Sequence, residues 1–128
     1  MNVVDSSGWI EYLTDGTGAS FFAPAIEKVD SLIVPAIVVN EVMRKTLRDA
    51  GESAGQTVLT ALRQGKIVPL DEALAVAAAR LGVAHHLPLA DAIVLATTRA
   101  ASATLWTQDK DFEGLPRVRY QGKASARR

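Results

Sequence analysis

The stretch "LPLADAIVLATTRAASATLWTQDKDF", residues 87–112, decides the fold. Its first half reads as a helix, because Leu89, Ala92, Ile93, Ala96 and Ala100 recur at helical spacing. Its second half holds "ATLWT", 103–107, a short apolar run that reads as a strand. An acid stands near each start and stop. Asp91 lies in the first helical turn, just after Pro88, and Asp109 follows the strand with Asp111 two residues on. A single first-turn acid has an ordinary explanation, since free N–H groups and the helix dipole favour negative charge there. Whether Asp91 is more than a helix-start acid depends on what the rest of the chain places beside it.

Outward from this stretch, short apolar strands alternate with helical segments. "NVVD" is a strand ending on Asp5, and Ser6 or Ser7 is placed to cap the helix that follows, with Trp9, Ile10 and Leu13 on its inner face. "DGTG", 15–18, stops that helix, and a second runs from about Ala19 to Val29. "SLIVP" is a strand at 31–34, Pro35 suits the first position of a helix reaching Gly51, and "SAGQTVLTALRQG" is another helix. "KIVPL" is a third strand, and "DEALAVAAARLGV" is a helix opened by Asp71 and Glu72. After the helix at about 88–101 and the strand at 103–107 comes a further strand, "RVRY", 117–120. Strands of this kind, apolar on both faces and joined by helices, predict a three-layer α/β/α sandwich with a mainly parallel sheet of four to five strands. Residues 1–120 read as one domain, and 121–128 as a basic C-terminal tail expected to be flexible.

Composition agrees and excludes several classes. The chain has 128 residues, enough for one core, filled by Ala, Val, Leu and Ile rather than aromatics. With no cysteine, disulfides, thiol catalysis and zinc–thiolate sites are excluded. "MNVVDSSGWIEYL" lacks the basic start and long apolar run of a signal peptide, and no apolar run has the length of a membrane span. A cytoplasmic protein without a membrane role is expected. Net charge is zero, yet Arg117, Arg119, Lys123, Arg127 and Arg128 all follow Glu113 with no acid among them. Such a run is either a solvated end or an arm that meets phosphates.

The acids share a topological position. In parallel sheets, sites lie beyond the carboxyl ends of the strands. Asp5 and Asp109 end strands, while Glu41 and Asp91 lie near helix starts at that same edge, Glu41 interrupting the apolar run of Val38, Val39 and Val42. Like charges gathered in a partly apolar place repel and lose hydration unless a cation or protons join them. Oxygen ligands without His or Cys select hard cations such as Mg2+ or Mn2+. Such an ion can orient a water and neutralise a phosphodiester, so the pattern suggests metal-dependent phosphodiester hydrolysis.

The chain resembles the PIN-domain ribonucleases, in particular the toxin subunits of VapBC-type toxin–antitoxin pairs. The matching pieces are "VVDSSGWIEYL" at 3–13, "VPAIVVNEVMR" at 34–44 and "LPLADAIVLATTRAASATLWTQDKDFEGLPRV" at 87–118. The resemblance implies a Mg2+- or Mn2+-dependent endoribonuclease that acts as a toxin, a homodimer, and a cognate antitoxin partner. It places the family's acidic quartet on Asp5, Glu41, Asp91 and Asp109. Asp5, Asp91 and Asp109 are then the expected metal ligands, and Glu41 either a further ligand or the group orienting the attacking water. Ser7 and Thr107 match supporting hydrogen-bonding positions, and Asp111 an acid beside the site. Arg44, one turn beyond Glu41, is a candidate contact to an RNA phosphate, or else a solvated helix arginine.

His85 and His86 read as solvated loop residues, and Trp9 and Trp106 as core or dimer-contact residues. A haloacid-dehalogenase-type phosphatase would need an acid where Ser7 stands, and a receiver domain a lysine after a late strand. The alternative from another class is a non-catalytic α/β protein-binding subunit whose acids only cap helices.

Overall fold

The computed structural model describes residues 1–123. In chain order it contains β1 (Asn2–Val4), α1 (Ser6–Leu13), α2 (Ala19–Glu27), β2 (Leu32–Pro35), α3 (Ala36–Leu62), β3 (Lys66–Val68), α4 (Glu72–His85), α5 (Leu89–Ala100), β4 (Thr104–Thr107) and β5 (Val118–Tyr120). Single 3-10 turns occupy Val29–Ser31 and Lys110–Phe112. The strands form one sheet in the order β3-β2-β1-β4-β5, and every neighbouring pair is parallel. The expected sheet is therefore present, with five strands and wholly parallel.

This order fixes where a site can form. Right-handed crossovers put the connections β1→β2→β3 on one face of the sheet. The return from β3 to β4, through α4 and α5, runs in the opposite sense and covers the other face. The reversal falls between β1 and β4, which pair with Val4 opposite Trp106. Crevices at such reversals open beyond the carboxyl ends of the strands. Asp5 and Asp109 follow β1 and β4 at that place.

Several local readings shift by a turn or less. Asp5, not Ser6 or Ser7, caps α1, its carboxylate accepting from the Gly8 N–H at 2.9 Å. The second helix stops at Glu27 rather than Val29, because Lys28 leaves helical geometry at φ −86, ψ 71. Pro35 ends β2 and flanks α3 with an extended backbone (φ −61, ψ 141), so it precedes the first helical residue instead of being it. The break expected at Gly51 is a kink within α3, where Gly51 takes φ 87, a conformation that side chains disfavour. His85 belongs to the last turn of α4, and only His86, left-handed at φ 55, lies beyond it.

The core lies on both faces of the sheet. Val3, Val4, Val34, Leu105, Trp9, Phe22 and Phe112 are essentially inaccessible. Each such aliphatic or aromatic side chain contributes about 1.5–3 kcal/mol by leaving water. The placement of Trp9 and Trp106 in the interior agrees with the sequence reading. Gly8 permits a close approach within the core: a Cβ there would stand 2.6–2.8 Å from atoms of Phe22 and Val4. At the end of the sheet, the Gln121 N–H donates to the Thr107 carbonyl at 3.1 Å. The rest of the expected basic tail, 124–128, lies outside the described residues. Among the described residues no single helix is long and apolar enough to cross a membrane.

Candidate active site

The site is built on Asp5. The alternation of β1 buries Val3 and Val4, and the chain then turns directly into α1, which leaves Asp5 under the sheet edge at 4% exposure. Both its oxygens are held. Oδ1 accepts from the Gly8 N–H (2.9 Å) and from the Ser7 hydroxyl (3.0 Å). Oδ2 accepts from the Thr107 hydroxyl at 2.5 Å. Burial raises the Asp5 pKa above the ordinary carboxylate value and the nearby Asp109 charge adds to this, while the three hydrogen bonds work against it.

Thr107 ties the second strand end to the first. Besides donating to Asp5, its Oγ1 accepts from the Asp109 N–H at 2.9 Å. Asp109 in turn accepts the Asp111 N–H on Oδ1 (2.9 Å), which starts the 3-10 turn and sets Asp111 beside it. From the opposite face α5 brings Asp91, half-buried in its first turn. Asp91, Asp109 and Asp111 each present an oxygen within 4.8 Å of the others, the spacing at which three carboxylates can share one ion. From α3 comes Glu41, whose Oε1 accepts from the Ser6 hydroxyl at 2.8 Å.

Electrostatics set this edge apart. The Asp91 pKa is raised to about 7, first by burial and then by the charges of Asp109, Asp5, Asp111 and Glu41. Among the described residues no Lys or Arg forms an ion pair with these acids; the ion pairs are Lys45–Asp49 and Arg48–Asp49, both on the outside of α3. Five carboxylates with three supporting hydroxyls and no nitrogen or sulfur ligand form a donor set that fits a hard divalent cation.

The predicted acids come to one edge of the sheet, and the Ser7 and Thr107 hydroxyls donate to Asp5 there. The grouping differs from the one expected. Asp111 joins Asp91 and Asp109 in the tight triad, whereas Asp5 and Glu41 stand outside it. Ser6, which positions Glu41, had been seen only as a helix cap. Its partner lies 35 residues away, and sequence spacing carries no trace of that contact. Arg44 is exposed one turn past Glu41, and Arg119 stacks over Trp106 at 4.3 Å from the ring centroid.

The sequence profile of the PIN domain matches residues 3–118. No curated protein matches the chain in sequence. Among solved structures, a toxin–antitoxin complex from Klebsiella pneumoniae is similar at TM-score 0.80 and 22% identity, over 97% of this chain and 100% of that one. VapC20 of Mycobacterium tuberculosis, described as a sarcin–ricin loop cleaving toxin, is similar at TM-score 0.72 and 19% identity, over 91% and 95% of the two chains. VapBC2 from Rickettsia felis, solved with a DNA fragment from its promoter, matches at TM-score 0.72 and 13% identity, over 94% and 97%. At these identities the likeness establishes a common fold.

Proposed function

The chain belongs to the PIN-domain family, and on that premise we propose that it is a Mg2+- or Mn2+-dependent endoribonuclease acting as the toxin of a toxin–antitoxin pair. The observation that carries this reading is the uncompensated acidic edge: five carboxylates gathered at one edge of the sheet, two of them raised above the ordinary range. A binding subunit whose acids only cap helices would have no use for Asp91 and Asp111 beside Asp109. The toxin assignment draws on the fold shared with the Klebsiella complex and VapC20.

In this mechanism Asp91, Asp109 and Asp111 would hold the ion, with Asp5 joining them directly or through water. When bound, the ion supplies positive charge for the phosphodiester and acidifies a water. Thr107 keeps Asp5 and the Asp109 backbone in fixed relation, so the oxygens need no reorganisation as charge develops. Glu41, held through Oε1 by Ser6, keeps Oε2 for a water. That water would attack phosphorus as its proton passes to the Glu41 carboxylate, and the phosphorus–oxygen bond would break with its electron pair leaving on the ribose oxygen, which takes up a proton from solvent. The cognate antitoxin, a homodimeric state and a cytoplasmic location complete the proposal.

The test is cleavage of total cellular RNA by the purified protein with Mg2+, Mn2+ or EDTA, beside an identically purified Asp5→Asn variant. Discrete metal-dependent fragments absent from the variant support the reading. Equal fragments from both proteins, or none from either, overturn it.

A further inference from the structure

A second charged feature adjoins the acidic edge. It is a groove that Glu41 lines together with Ile10, Ile37, Asn40, Arg44, Lys45 and Arg48. Arg44 and Arg48 follow Glu41 by three and seven residues, so helical periodicity stacks all three on one face of α3. At 1.5 Å per residue they stand about 4.5 and 10.5 Å from Glu41 along the helix axis. Both arginines face solvent, and the Arg48 side chain is 63% exposed. Arg48 engages Asp49 through Nε at 3.0 Å, which leaves the terminal nitrogens of its guanidinium for another anion. Lys45 donates to the other Asp49 oxygen at 2.8 Å.

We propose that this groove is a phosphate track for the RNA strand that flanks the bond being cleaved. The inference rests on the ribonuclease reading above. The argument is one of charge. An ion at the acids can neutralise one phosphate, but the next phosphates along the strand meet the same carboxylates unobscured. They need cations placed just outside the acidic crevice, and α3 presents them there in a row. Ile10 and Ile37 give the groove an apolar floor that suits a sugar or base face, and Asn40 adds a neutral donor. Arginine forks match phosphate geometry, which favours a nucleic-acid strand over a neutral peptide as the occupant. Asp49 is the opposing element: it occupies Lys45 and part of Arg48 and repels the strand, so the track is weaker than its three cations would make it.

The two signs give the test. Binding of a fluorescently labelled, mixed-sequence single-stranded RNA is measured over a salt series, with Ca2+ replacing the catalytic ion. The proteins are the wild type, the double variant Arg44→Gln/Arg48→Gln, and Asp49→Asn, each checked for its melting temperature. The double variant is expected to bind several-fold more weakly. The slope of log affinity against log salt should fall by about 1.4, from about 0.7 per lost phosphate contact on a single strand. Asp49→Asn is expected to bind more tightly than the wild type. If the wild type binds and cleaves RNA while all three proteins share one affinity and one slope, the track is wrong and the ribonuclease reading stands. If the wild type neither binds nor cleaves RNA with any divalent ion, both fall. Variants that keep the RNA slope but lose a protein partner would assign the groove to that partner and overturn the inference.

Discussion

Asp5 and Asp49 are the same residue in opposite circumstances. Asp49 sits exposed on α3 between Lys45 and Arg48, and these cations lower its pKa to about 2. Asp5 is buried at the carboxyl edge of the sheet, bonded to neutral donors only, and its pKa is raised. Asp91, in the same place, reaches about 7. The outside of α3 follows the rule for a stable surface, in which opposite charges meet. The sheet edge breaks that rule, and the fold holds it in place with the Thr107, Ser7 and Gly8 hydrogen bonds. Concentrated, uncompensated charge of this kind marks a candidate functional site.

The largest effect expected from breaking this contrast is on catalysis. Asp91→Asn takes one negative charge out of the carboxylate triad and, on the proposed mechanism, should lower RNA cleavage by more than about 10²-fold, the scale at which even indirectly placed groups around a metal act. The same substitution relieves repulsion and should raise the melting temperature of the metal-free protein. Next comes the scaffold. Gly8→Ala forces a Cβ against Phe22 and Val4, and chemical denaturation should show a loss of about 1–3 kcal/mol.

The third effect is a pH dependence whose sign differs between the two regions. Asp91 has a folded pKa above its unfolded value of 3.8, so the folded state holds the extra proton between there and about 7. Metal-free stability should therefore fall as pH rises through that window and level off above it. After discounting for its partial exposure, the loss amounts to about 1–2 kcal/mol. Asp49 has the opposite sign. Its contribution is present above 3.8 and is lost as pH falls toward about 2. Saturating Mg2+ should reverse the trend near pH 7, because the ion binds the deprotonated acids. Thermal melting across pH, with EDTA and with Mg2+, checks all of these signs.

Smaller still, Ser6→Ala frees Glu41 and should lower the cleavage rate about tenfold with a stability change below about 1 kcal/mol. Single-turnover kinetics beside denaturation separates the two. The smallest effect belongs to the exposed pair, where Asp49→Asn should leave the chemical-denaturation midpoint nearly unchanged, because solvent screens that pair.

The sheet edge was legible in the sequence because strands are short, parallel and apolar here, so an acid at a strand end must lie at the carboxyl edge. Asp5 and Asp109 follow from that alone, and Asp91 and Glu41 from helix starts. What spacing did not give was the grouping. Asp111 looks like a turn residue, and it is one, bonded to Asp109 through its N–H. That bond is also what brings its carboxylate into reach of Asp91. The contact from Ser6 to Glu41 depends on how α1 packs on α3, which no local pattern encodes. Strand and helix limits moved where a single residue leaves its expected geometry, as at Lys28 and Pro35, without moving any acid away from the edge.

The most direct test of the account is the melting temperature of the wild type and Asp91→Asn, each with EDTA and with Mg2+ or Mn2+ at pH 7.5. The account predicts that the divalent ions stabilise the wild type, and that metal-free Asp91→Asn melts higher than metal-free wild type and gains little from the ions. A wild type indifferent to both ions, or an Asp91→Asn protein that gains as much from them, would contradict it.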